Sequence, residues 1–379
     1  GILFLNGSNN SGSATSETIN NLTMGNGSVS PGSGSGNTFN VNGNAILSGG
    51  TISPSSNSKL NIAGTTALSG GVISVGSNNS SSVYNSKATL TGAVTITNTA
   101  LGTAAYTPIT IAAGSSSGNL GGQMELSGDV TFTGTTNSNT VTIAAPTGTG
   151  LQGVLALNGT RSFAISDGAA GNDLTINAPL IDGTSTGGLT KTGLGTLALT
   201  GGNTYTGPTS VGAGTLALSG SGSIDANSAI TVAAGATLDA SALSAYTFST
   251  AATTTIGVNA LAAGQIKAAA VTFSNAALTF DFGSASTLLA SYDVLAVSGS
   301  ETGHFLAGSV TATGSSITGT FVDAGSGNWT LSSGGYDLTF SESLGTLTAV
   351  SAVPEPSSYA ALFGALVLAA ASVRRRRRS

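Results

Sequence analysis

The chain has 379 residues, of which only 7% are charged, 56 are glycine and none is cysteine, and its formal net charge is −5. The lack of cysteine excludes disulfides and thiolate metal sites, so stability must come from backbone ladders and packing. Five of the ten basic residues lie in Arg374–Arg378, which leaves residues 1–352 with 14 acidic and 5 basic side chains, a sparse acidic body that does not attract nucleic acid.

Leu, Ile, Val and Phe number 87, just above the roughly 20% floor below which a chain cannot bury a core. They alternate with small polar residues, which favours order. The opening Ile2-Leu3-Phe4-Leu5 is too short for a signal peptide. Residues 1–40 are rich in Asn, Ser and Gly and are expected to be partly loose. From there the chain repeats weakly. Ala45-Ile-Leu-Ser-Gly-Gly-Thr-Ile-Ser53 returns as Thr66-Ala-Leu-Ser-Gly-Gly-Val-Ile-Ser74, and Gly195-Thr-Leu-Ala-Leu-Thr-Gly201 returns as Gly214-Thr-Leu-Ala-Leu-Ser-Gly220. Leu90–Thr97 returns as Leu126–Thr133, a longer shift expected to cover two periods of about 20 residues, the range of solenoids.

Within each unit the pattern is short β-strand. Val94-Thr-Ile-Thr97, Thr196-Leu-Ala-Leu-Thr200 and Leu278-Thr-Phe-Asp-Phe282 alternate apolar and polar residues. Gly, Asn, Ser and Asp fill the gaps as turn residues. The predicted fold is all-β, a right-handed parallel β-helix in which each coil satisfies the backbone of the next. At about 20 residues per coil and ~4.8 Å per step, the body should form a rod of roughly 80 Å. The expected units are coils over 1–186, a distinctive repeat over 187–240, terminal coils and an aromatic-rich cap over 241–350, and a separate tail over 351–379.

The segment Gly187–Leu218, with its Asn203-Thr-Tyr205-Thr-Gly207 core flanked by two Gly-Thr-Leu-Ala-Leu strings, resembles the autotransporter-associated β-strand repeat. That resemblance implies a β-helical passenger of a secreted surface protein. The chain ends in one apolar segment and not in many amphipathic strands, so a self-translocating barrel is not expected within it.

The tail has three parts in order. Val353, Pro354, Glu355, Pro356 and Ser357 form a stiff, extended motif, because the prolines fix φ and bias the residue before them away from helix. Residues 358–373 are apolar and predict a single short transmembrane helix. Arg374, Arg375, Arg376, Arg377 and Arg378 form a cytoplasmic stop in the basic tail 374–379. This order resembles the PEP-CTERM sorting signal of Gram-negative bacteria. The resemblance implies that an exosortase cuts at the motif and that the body passes from the inner membrane to the cell surface or an exopolysaccharide matrix. An exported body needs a leader, so the true start is expected upstream of Gly1.

The sequence holds few groups in a catalytic or ligand-binding pattern. His304 is the single histidine and adjoins no nucleophile-elbow motif, so it reads as a turn or surface residue. Gly193-Leu-Gly-Thr-Leu-Ala198 and Gly212-Ala-Gly-Thr-Leu-Ala217 precede strands and read as coil punctuation, not dinucleotide loops. The aspartates are scattered, and Asp167 with Asp182, or Asp225 with Asp239, are poorly spaced for a stacked carboxylate pair. Arg161 and Lys191 are too isolated to form a basic groove. No cofactor, metal ligand or catalytic residue is therefore assigned. The expectation is a non-enzymatic structural or adhesive protein; a β-helical polysaccharide lyase or hydrolase and a barrel-less passenger are the alternatives.

Overall fold

The computed structural model describes residues 2–4, 16–31, 36–54, 57–77, 82–83, 86–98, 105–134, 141–148, 150–225, 228–248, 251–273 and 275–352. Short apolar–polar alternations bounded by Gly and Asn turns become strands of two to six residues. Up to Val310–Gly314, successive strands do not pair with each other. Each pairs with its equivalent one coil away, and three long sheets result. Sheet I has twelve strands, from Ile2–Phe4 to Leu295–Val297; sheet II has seven, from Ser16–Ile19 to Leu180–Asp182; sheet III has thirteen, from Leu22–Met24 to Gly319–Thr320. The pairing is parallel throughout except at the last strand of sheet III. The chain visits II, III and I in turn, as in Thr38–Val41, Ala45–Leu47 and Thr51–Ile52. The structure is all-β, with long parallel sheets consistent with the expected β-helix, and no helix occurs among the described residues.

The inward positions stack into columns. In sheet I, Val29, Ile52, Ile73, Ile109, Ile143, Ile176, Leu199 and Leu218 are successive register partners, none more than 4% exposed. Branched aliphatic side chains repeated at one strand spacing fill the interior with little lost rotamer freedom. The shifts of 19 and 21 residues predicted from the repeats are the observed registers, Leu197 with Leu216 and Ile52 with Ile73.

Two expectations are corrected. Leu90 pairs directly with Leu126, and Val94 with Val130, so the 36-residue shift is one coil and not two. The extra length lies between strands, partly in 112–122, which carries no strand. Larger coils mean fewer coils. The twelve strands of sheet I make eleven steps, or about 53 Å at ~4.8 Å each, rather than the 80 Å expected from a uniform short coil.

At the C-terminal end the stack gives way to an antiparallel sheet of five strands, in the order Ser291–Asp293, Thr346–Ser351, Tyr336–Ser341, Asn328–Ser333, Val322–Gly325. Its inner face carries Trp329, Phe340 and Leu347, all at most 1% exposed. Phe340 packs against Phe280 and Phe305, with ring centroids 5.1 and 6.2 Å apart, so the cap covers the last coil with aromatic surface. The last described residue, Ala352, donates its N–H to Gly335 O at 2.8 Å, which places the start of the tail at this cap. No helix among the described residues is long and apolar enough to cross a membrane; the expected helix at 358–373 lies outside them.

Candidate functional site

The most distinctive stretch of the coil stack is residues 187–218. It begins with Gly188–Thr192 in sheet III, turns at Gly193 into Thr196–Leu199 of sheet I, and repeats as Thr209–Val211 and Thr215–Leu218. Gly193 and Gly214 have φ of +74° and +62°, a region that favours glycine. A Cβ on Gly193 would stand 2.3 Å from Ile165 O. The Gly-x-Gly strings are therefore corner turns, each leading into a strand.

Sheet II stops at Leu180–Asp182, and the wall continues through Asn203–Gly207 without a strand. Side chains replace the missing ladder. Asn203 Oδ1 accepts Leu180 N–H at 2.9 Å from the coil before, and Asn203 Nδ2 donates to Ser223 O at 2.8 Å in the coil after. Thr204 N–H reaches Leu180 O at 2.8 Å. Tyr205 is fully buried, and its hydroxyl lies 2.7 Å from Thr209 Oγ1. Burial pushes the Tyr205 phenol up to about 12, against the lowering effect of the Thr209 hydrogen bond, with Asp225 adding to the rise. The Asn-Thr-Tyr-Thr-Gly string thus carries the coil over a side where regular pairing lapses. A short parallel sheet of Tyr246–Thr247, Val271–Thr272 and Glu301–Thr302 later takes the same place in the cycle.

Lys191 occupies a core position in sheet III between Phe163 and Val211 and is completely buried. Its Nζ donates to the carbonyls of Thr192, Gly193 and Ala213 at 3.0, 2.8 and 3.0 Å. Burial pulls its pKa down to about 8, with the Asp173 carboxylate acting in the opposite sense. It takes no part in a surface groove. Its parity with Leu189 in the strand was the sequence signal that it points inward.

The acids hold their own turns and the neighbouring coil. Asp173 accepts Gly168 N–H at 2.8 Å and Thr196 N–H at 2.7 Å. Asp182 accepts Gly187 N–H, Thr206 N–H and Thr206 Oγ1–H; burial raises its pKa, but these three bonds together outweigh that and hold it below the usual carboxylate value. Asp239 Oδ1 caps its own turn, accepting Ser241 N–H at 2.9 Å and the Ser241 Oγ–H at 2.6 Å. Arg161 donates to Ser127 O and lies 4.0 Å from Asp129. Among the described residues no group of three or more His, Asp or Glu side chains converges as a metal site.

His304 sits at the cap with its side chain 70% exposed, and its Nδ1 is 2.7 Å from Glu342 Oε2. The buried Glu342 carboxylate also accepts Trp329 Nε1–H at 2.9 Å and Phe305 N–H at 3.1 Å. The hydrogen bond to Glu342, then its charge, raises the His304 pKa above the ordinary imidazole value. Glu342 was missed in the sequence, although it shares strand parity with Leu338 and Phe340. The sorting motif Val353–Ser357 and the basic stop Arg374–Arg378 lie outside the described residues.

Residues 189–218 match the passenger-associated-transport-repeat family. The match coincides with the corner turns, the buried Lys191 and the Asn203 bridge, and supports the resemblance to the autotransporter-associated repeat. No curated protein and no solved structure matches the chain.

Proposed function

We propose that the chain is an exported cell-surface or matrix protein whose coil stack has a structural or adhesive role rather than a catalytic one. The observation that carries this reading is the passenger-type repeat at 189–218, set within continuous parallel sheets. A repeat family associated with passenger transport belongs with proteins that leave the cytoplasm. The acids weighed as a catalytic pair support the non-catalytic side of the reading, since Asp182 is engaged by Gly187 and by Thr206 of the next coil, and Asp239 by its own turn. The finer proposal concerns the tail. The Val353-Pro354-Glu355-Pro356-Ser357 motif, the apolar 358–373 and the Arg374–Arg378 stop act together as a PEP-CTERM-type signal. The helix holds the chain transiently in the inner membrane until an exosortase releases the body, which then meets exopolysaccharide or surface matrix.

Mass spectrometry of the protein from its native host tests the tail. The expected mature C-terminus falls at or near the motif and lacks the arginines; recovery of the secreted species with Arg374–Arg378 attached overturns exosortase processing. Fractionation tests the broader reading, which fails if the body is found in the cytosol. The repeat also favours a second reading, a passenger whose translocating barrel is a separate chain. A barrel gene adjoining this one, together with loss of surface display on its deletion, would support that reading over the first.

A further inference from the structure

Sheet III carries an outward column of hydroxyls over seven consecutive coils. Ser162 pairs in register with Thr190, then Ser210, Thr231, Thr255, Thr279 and Thr311 follow as successive partners. Adjacent members are one strand spacing apart, about 4.8 Å. Only the last two bond to each other, with Thr279 Oγ1 and Thr311 Oγ1 at 2.9 Å. The side-chain hydroxyls of Ser162, Thr190, Ser210, Thr231 and Thr255 have no hydrogen-bond partner among the described residues.

Beside the column the next outward positions are small. Ala233 and Gly257 occupy them before Asp281 and Thr313. The Ala233–Ala234 backbone closes on Gly257, where a Cβ would stand 2.8 Å from Ala234 N, and together with the excursion 284–287 it borders a recess. The result is a groove of about 530 Å³ lined by Thr231, Ala233, Thr255, Gly257 and Asp281, within the size range of ligand sites. Asp281 is exposed and accepts Gly283 N–H at 3.0 Å through Oδ1, which leaves Oδ2 without a described partner.

We propose that this groove binds a linear, uncharged glycan lying along the coil axis. A hydroxyl both donates and accepts, so a column of them matches a ligand that repeats hydroxyls at short, even intervals. The small-residue floor admits the flat aliphatic face of a sugar ring, and the Asp281 carboxylate can accept from sugar hydroxyls. Charge selects against the other polymers: no Lys or Arg lines the groove, so nothing there compensates a phosphate or uronate, and the body carries nine more acidic than basic groups over residues 1–352. The inference deepens the surface-protein reading and rests on it only for where the glycan is met.

The test uses the full chain and isothermal titration with cellohexaose and maltohexaose as neutral linear probes and polygalacturonate as the polyanion. The double variant Thr231→Val/Thr255→Val removes two hydroxyls at nearly constant shape, and valine suits a strand. Wild type is expected to bind at least one neutral hexaose, and the double variant to bind it about tenfold or more weakly, as two lost hydrogen bonds of ordinary strength imply. Ala233→Leu, which fills the recess, should give a comparable loss and decides the matter if the double variant does not fold. Binding of neither hexaose, equal affinity in wild type and folded variants, or preference for polygalacturonate overturns the inference. Surface display is scored separately on cells: a displayed protein that binds no glycan sinks the groove alone, whereas a glycan-binding protein retained in the cytosol sinks the export reading alone.

Discussion

Replacing Asn203 with alanine removes the side chain that joins three coils where sheet II ends. Two hydrogen bonds are lost, Leu180 N–H to Oδ1 at 2.9 Å and Nδ2 to Ser223 O at 2.8 Å. Asn203 is 5% exposed and Leu180 is fully buried, so the freed Leu180 N–H has no ready access to water. A net hydrogen bond contributes about 1 kcal/mol and an orphaned buried donor costs ~1–3 kcal/mol, which puts Asn203→Ala at about 2–4 kcal/mol. Urea unfolding of the full chain measures the loss, and the variant should shift the midpoint with little change in slope. Amide hydrogen exchange locates it. Coils contact mainly their neighbours, so protection should fall first at Leu180 and the adjoining strand and least in the distant N-terminal coils. Asn259→Ala is the control, because that side chain accepts only exposed turn amides, from Leu261 and Ala262. The bridging role is refuted if Asn203→Ala lies within ~0.5 kcal/mol of wild type, or if Leu180 exchange is unchanged.

Two pH effects follow from the buried and capped groups. Lys191 has its folded pKa lowered to about 8 from 10.5, so between these values the unfolded chain binds more protons and stability should rise with pH. Lys191→Met should abolish that rise while the fold persists, and a slope retained in the variant, followed by urea midpoints from pH 8 to 10, would count against the assignment. His304 has the opposite sign. Its pKa is raised in the folded state by Glu342, so its contribution is full below the ordinary value of 6.5 and is lost as pH rises through the raised one. His304→Gln should therefore narrow its difference from wild type as pH is taken from 5 to 8; a constant difference would show that the pairing does not depend on imidazole charge. Glu342→Leu should destabilise the cap at every pH in that range, because Trp329 Nε1–H and Phe305 N–H lose their acceptor; thermal melting followed by Trp329 fluorescence, with no change in the cap transition, would contradict this.

Much of the architecture was legible because a β-coil writes its register into local alternation. Leu197 and Leu216, or Ile52 and Ile73, occur in nearly identical strings, and side chains repeated one coil apart have to stack. The same parity also holds the signal that Lys191 and Glu342 face inward, a signal the sequence reading did not use, and it does not say what an inward charge meets. For Lys191 the answer is three carbonyls from two separate corners, and for Glu342 it is an indole from the neighbouring strand and an amide and an imidazole from the loop at 304–305.

The chain's own order of residues therefore determined the class of fold, the inward and outward faces of its strands, and the repeat at 189–218, since each depends on periodicity over a few residues. Tertiary structure decided how many coils there are, because a 36-residue shift is one turn or two only once Leu90 and Leu126 are seen to pair. It likewise decided that Asn203 closes a gap in sheet II and that the hydroxyls of sheet III form one column. Those are relations between residues about 20 or more positions apart, set by the stacking of whole coils and invisible to any local pattern.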